Sequence, residues 1–264
     1  MKIVFTVMCS FWSLLAVAQP SSQKPLRVLF IGNSYTYYHN MPQIVTGIAA
    51  SMGNVLVTDQ STVGGYTLRQ HTANTTTLSK ITQGTPDYNN QKARSSWDYV
   101  VIQEHSQLPS NPREKVSREV EPYVSTLDST IHTHNPTAQL IFYQTWGRKN
   151  GDSARCADWN AVCTYEGMDS LTATTYRDLA QKHAGLLAPV GAVWKYLREH
   201  HPTLELYSAD ESHPSEAGSY AAACCFYTVL FNKNPADIPY NYTLNSTDAT
   251  RIREAVKAVI FDTK

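Results

Sequence analysis

Residues 26–34 read LRVLFIGNS, a short apolar run that stops at a glycine and delivers the chain to a serine. A run that is apolar on both faces and closed by turn residues suits a strand inside a parallel sheet covered by helices on both sides. Four more such runs follow, at residues 54–63, 99–103 (YVVIQ), 139–145 (QLIFYQT) and 186–190. Helical segments fall between and after them. Residues 116–132 place Val116, Val120, Val124 and Leu127 at helical spacing, and 171–184 and 193–199 are shorter. Residues 215–231 are strongly apolar. The last segment opens on Asn245-Ser246-Thr247-Asp248, a capping run, and lines up Ile252, Ala255, Val256, Val259 and Ile260. Strands alternating with helices predict an α/β fold: a doubly wound three-layer α/β/α domain on a flavodoxin-like five-stranded parallel sheet. Ligands of such folds bind beyond the carboxyl ends of the strands, so residues just after Ile31, Val63, Gln103 and Thr145 should share one rim.

The chain has 264 residues. Its first eighteen, MKIVFTVMCSFWSLLAVA, join a basic start to an apolar run and a small-x-small site at Ala16-Val17-Ala18. That is the pattern of a secretory signal cleaved after Ala18, and the apolar run is short for a membrane anchor. The expected organisation is therefore a signal peptide over residues 1–18 and one domain over 19–264, secreted or periplasmic. Removing Lys2 moves the formal charge from 0 to −1. With no Lys/Arg block, nucleic acid is excluded as an expected partner, and no later stretch predicts a membrane span. Sixteen tyrosines and five tryptophans suit a carbohydrate ligand as well as a core. Of the cysteines left after cleavage, Cys156 and Cys163 flank a polar loop and can close it as a disulfide in an oxidising compartment. Cys224 and Cys225 lie in the apolar run 215–231 and read as small buried residues. No CxxC pair or finger spacing predicts a metal site.

Two segments carry chemistry. Ser34 follows the first strand, where a hydroxyl is exposed at the rim and the backbone N–H can face a developing oxyanion. Alone, a Gly-x-Ser turn is a weak signal. Near the other end stand Asp210-Glu211-Ser212-His213 and Pro214, just before an apolar helix. A serine nucleophile needs a base, and the base needs an orienting acid; Asp and His three apart can supply both from one loop. Alone, that loop reads as a helix cap.

Taken together and in order, these segments resemble the SGNH (GDSL-like) hydrolases, in a branch of secreted Bacteroidetes-type proteins. IGNSYT is similar to the block that carries the nucleophile, VGGYTL to the glycine block, DYVVIQEHSQLPS to the third block, and DESHPSEAGSYAAA to the last. The resemblance spans most of residues 19–264. It implies a Ser34–His213–Asp210 triad and ester hydrolysis through an acyl-enzyme with no metal or organic cofactor. The implied substrate is a small-molecule or polysaccharide ester bearing a small, acetyl-type acyl group. Two departures stand out. Asn33 replaces the family's Asp, and the third block lacks its Gly-x-Asn-Asp. Gln107 falls at the Asn position, with Gln103 as the other candidate amide. The oxyanion hole is then expected from the N–H groups of Ser34 and of Gly64 or Gly65, plus one Gln amide. Asn33, Tyr35, Glu104, His105 and Trp146 are the candidates for contact with substrate, Trp146 being equally readable as core. Two other readings stay open: a lipase or thioesterase of the same superfamily, and a catalytically silent carbohydrate-binding protein on the same fold.

Overall fold

The structure, a computed structural model, describes residues 24–84 and 96–263; the expected signal, residues 1–18, lies outside them. Strands β1 (Leu26–Gly32), β2 (Leu56–Thr62), β3 (Tyr99–Ile102), β4 (Gln139–Tyr143) and β5 (Leu186–Ala188) form one parallel sheet in the order β2-β1-β3-β4-β5. All five expected strands are present; β1 runs one residue past its apolar run, to Gly32, and the other four are slightly shorter than theirs. β2 is the most polar of them (LVTDQST), as its position at the sheet edge allows.

The helices are α1 (Ser34–Tyr37), α2 (Met41–Ser51), α3 (Leu68–His71), α4 (Thr75–Gln83), α5 (Arg113–Glu119), α6 (Glu121–His134), α7 (Tyr165–Lys182), α8 (Val190–His200), α9 (Glu216–Phe231) and α10 (Ser246–Val256). They cover both faces of the sheet. Successive strand side chains point to opposite faces. Accordingly Val28 and Phe30 of β1 join the core beneath α2, α8, α9 and α10, while Leu29 and Ile31 join the core beneath α4 to α7. The apolar stretch at 215–231 becomes α9, with nearly every side chain buried, including Cys224 and Cys225. The segment expected as one helix over 116–132 is two. Val120 leaves helical geometry (φ −121°, ψ −57°) because Pro122 has no N–H to continue the ladder and its ring crowds the preceding turn. Cys156 and Cys163 are disulfide-bonded. Among the described residues, no helix is long and apolar enough to cross a membrane.

This strand order fixes where a site can form. The chain leaves β1 across one face to reach β2 and returns across the other to β3, so the connections after β1 and β3 diverge. The crevice between their carboxyl ends is the topological switch point, the usual ligand site of such sheets. Ser34 follows β1 and Gln103 follows β3.

Candidate active site

The turn after β1 is held from several sides. The Asn33 backbone N–H donates to Gln103 Oε1 at 2.9 Å, and the Thr36 hydroxyl donates to the same oxygen at 2.9 Å. Gly32 makes this approach possible: a Cβ there would lie 2.6 Å from both Gln103 Oε1 and Thr36 Oγ1. Asn33 caps α1 by accepting from the Tyr35 N–H at 3.2 Å, and its Nδ2 donates to the Tyr66 carbonyl at 2.9 Å. The block-one turn is thereby tied to the glycine loop. Ser34 is the first residue of α1, where backbone N–H groups have no intrahelical partner.

The second loop folds around Asp210. Its Oδ1 accepts from the backbone N–H groups of Ser212 (3.1 Å) and His213 (2.9 Å), while Glu211 takes up a left-handed conformation (φ 58°). Asp210 Oδ2 makes a short hydrogen bond with His213 Nδ1, and His213 Nε2 lies 2.7 Å from Ser34 Oγ. Burial opposes the Asp210 charge, but the hydrogen bonds from His213 and Ser212 outweigh it and hold its pKa below the usual carboxylate value. An ionised Asp210 selects the tautomer with the proton on Nδ1, which leaves Nε2 to accept from the Ser34 hydroxyl. The Tyr38 ring stacks on the imidazole at 4.3 Å between centroids, and Tyr35 meets its edge at 5.5 Å.

Around this relay lies a cleft of about 320 Å³, lined by Asn33, Ser34, Tyr35, Tyr37, Tyr38, Gly64, Gly65, His105, Ser106, Arg148, Ser212 and His213. Of the residues singled out in the sequence, Asn33, Tyr35, Gly64, Gly65 and His105 line this cleft. Among the described residues none accepts a hydrogen bond from the backbone N–H of Ser34, Gly64 or Gly65. The expected Gln amide is a different matter. Gln107 Nε2 donates to Asp152 Oδ2 at 2.7 Å, away from the cleft. Gln103 is fully buried, with its Oε1 bracing the nucleophile turn and its Nε2 bonded to the Glu104 carbonyl. Neither amide lines the cleft, so the amide part of the expected oxyanion hole is corrected.

Two substrate-contact candidates are corrected as well. Trp146 is fully buried, stacked between Tyr35 (4.8 Å) and Trp194 (3.7 Å), and its Nε1 donates to the Ser212 carbonyl at 3.1 Å. It is core, and it supports the loop that carries His213. Glu104 is also fully buried; its Oε1 accepts from the N–H groups of Leu68 (3.0 Å) and His105 (2.6 Å), and among the described residues its Oε2 has no partner. Burial outweighs those two bonds and pushes its pKa up to about 7. Tyr37, Tyr38, Ser106, Arg148 and Ser212 line the cleft without having been singled out. Arg148 was within reach of the rim rule, since it follows β4 closely. The tyrosines were visible beside Ser34, but nothing in sequence separates a ring stacked on a histidine from a packed one.

No protein-family model matches the chain, and no curated protein does. Solved structures do. A DUF4886 family protein from Bacteroides uniformis is 18% identical with a TM-score of 0.73, over 91% of this chain and 97% of that one. A protein from Slackia heliotrinireducens described as an SGNH hydrolase is 25% identical with a TM-score of 0.60, over 78% of this chain and 100% of that one. An acetyl xylan esterase is 12% identical with a TM-score of 0.52, over 78% of this chain and 100% of that one. The fold of the chain is that of the SGNH/GDSL-like hydrolase superfamily.

Proposed function

We propose that the protein is an exported serine esterase that removes small acyl groups, of acetyl size, from a carbohydrate. The observation that carries the reading is the continuous hydrogen-bonded relay Asp210–His213–Ser34 opening into a cleft at the switch point. His213 takes the Ser34 proton as the hydroxyl attacks the ester carbonyl, and Asp210 stabilises the imidazolium. The oxyanion is held by the free N–H groups of Ser34 and Gly64 or Gly65, aided by nothing from Gln103 or Gln107. His213 then protonates the departing alcohol, and water attacks the acyl-enzyme with His213 as base.

The cleft supports the small acyl size. Its lining among the described residues is aromatic, polar and glycine, with no aliphatic side chain to accept a long acyl tail. The acetyl xylan esterase of like fold supports the carbohydrate part, as do the tyrosines at the mouth. Export is supported by the apolar segment ending at Ala18. The test is turnover of p-nitrophenyl esters by residues 19–264, with Ser34→Ala as control. Acetate should be preferred to octanoate by tenfold or more, and Ser34→Ala should lose about 10⁴-fold or more in kcat. Full activity in Ser34→Ala would end the reading.

A further inference from the structure

Among the described residues that line the cleft, Arg148 alone carries a permanent charge. Its counter-charge is already spoken for. Asp152 is fully buried and is bound at Oδ2 by Arg155 Nε (2.9 Å) and Gln107 Nε2 (2.7 Å), whereas Arg148 Nη1 stands 3.4 Å from Oδ1. Arg148 Nε is buried and has no hydrogen-bond partner among the described residues. A guanidinium has five donors, and a buried donor left without an acceptor costs free energy. One carboxylate thus serves two guanidiniums, and the less well served of the two faces the cleft. The surplus positive charge is felt next door: burial, then the charges of Arg148 and Arg155, hold the His105 pKa below its ordinary value.

The flanking contacts say which side of the cleft Arg148 occupies. Trp146 Nε1 donates to the Ser212 carbonyl and the Lys149 N–H to the Glu211 carbonyl at 2.9 Å, so Arg148 stands between two bonds to the loop that carries His213. In ester hydrolysis the protonated base gives its proton to the leaving alcohol, so the alcohol part of the substrate lies on the His213 side, and the carbonyl oxygen faces the Ser34 and Gly64 N–H groups. We infer that the natural substrate is an ester whose alcohol part carries a carboxylate, and that Arg148 holds it. This rests on the esterase reading. The reaction balances as ordinary hydrolysis: the acyl–oxygen bond breaks, water supplies the hydroxyl of the released acid, the alcohol leaves with a proton, and the carboxylate is unchanged. The planar fork of one guanidinium matches one carboxylate, whereas a phosphate dianion would call for more positive charge than the cleft offers.

The experiment compares 3- and 4-acetoxybenzoate with the corresponding acetoxybenzamides, following acetate release. The ratio of kcat/KM, carboxylate over amide, should fall by about tenfold or more in Arg148→Gln, the worth of a charge-assisted pair, and should fall less in Arg148→Lys, which keeps the charge but loses the fork. A ratio unchanged in Arg148→Gln overturns the proposal, because a structural or oxyanion role would lower both esters alike. Should Arg148→Gln not fold, 4-hydroxybenzoate and 4-hydroxybenzamide are compared as inhibitors of the wild type; equal inhibition overturns the proposal and a tenfold preference for the carboxylate upholds it. If no ester is turned over, the esterase reading fails instead. Calorimetry with 4-hydroxybenzoate on the wild type and Arg148→Gln then still decides whether Arg148 binds a carboxylate, equal affinities refuting it.

Discussion

At position 33 the family's aspartate would have no proton to give the Tyr66 carbonyl, and its charge would sit against that oxygen. Asparagine makes the bond and still caps α1. Asn33→Asp should therefore cost about 1–3 kcal/mol of stability, since the part-buried Tyr66 carbonyl loses its hydrogen bond and gains a charged neighbour. Turnover should fall together with the thermal midpoint, because the glycine loop then drifts from Ser34; unchanged values for both would contradict the tie. Glu104 gives a prediction with a sign. Its pKa in the fold, about 7, lies above the ordinary carboxyl value, so the stability it permits is full at pH 4.5 and below and is lost as pH rises to 7. The loss amounts to about 3 kcal/mol at 1.36 kcal/mol per pH unit. Glu104→Gln removes the charge, so melts should show it close to wild type at pH 4.5 and more stable at pH 8. A gain that is the same at both values would assign the effect to something other than ionisation. Asp169, also pushed up, to about 6, keeps some pH dependence in the variant. At this scale Ser34, Asp210 and His213 were legible because order and spacing carry them. The direction of the Gln107 side chain was not, since it depends on Asp152, 45 residues further on.

Among the elements, the segment after β4 does work that its sequence conceals. Trp146 was readable as a sugar platform or as core, and only the packing of Tyr35 and Trp194 on its two faces decides for core. Its indole N–H, the Lys149 N–H and the Asn150 amide (3.0 Å to Glu211 Oε2) together clasp residues 211–212 next to His213. Trp146→Phe keeps a ring in the stack and removes one clasp, leaving the Ser212 carbonyl without its donor. We expect a loss of about 1–3 kcal/mol of stability. We also expect kcat to fall several-fold with KM little changed, since the misplacement bears on the base and not on substrate binding. A fall in KM-linked affinity alone, with kcat kept, would return Trp146 to the role of substrate contact. Helix limits followed the same rule as side chains. The periodicity over 116–132 was correct, but Pro122 broke it by removing a donor. The short helices α2, α3 and α4 were not anticipated: α2 carries Pro42 in its first turn and holds Gly47, and α3 spans a single turn.

Across the whole molecule, the alternation of strands and helices was enough to give the parallel sheet, and the rim rule was enough to gather the loops after β1, β2, β3 and β4. What brings Ser34 to His213 across 179 positions is the placement of α9 against α2, which aligns the loop before α9 with the turn after β1. α9 is thus the central strut of one face, buried on all sides among α2, α8 and α10. Its two thiols report on that burial. Desolvation pushes Cys224 up to about 12 and holds Cys225 well above its ordinary value, and a thiol reacts only as an accessible thiolate. Because α9 packs against both the sheet and three helices, exposing these thiols requires taking the core apart. The protein prepared as residues 19–264 should therefore show no reactive thiol when native and two when unfolded without reductant, with Cys156 and Cys163 held in their disulfide. Native-state labelling should be slower than in the unfolded chain by about 10⁴-fold or more, the unfolding constant of an ordinary domain. The free energy from labelling rates should equal that from a denaturant melt. A labelling free energy several kcal/mol below the melt would mean that α9 detaches by itself, and the relay between Ser34 and His213 would then open with it.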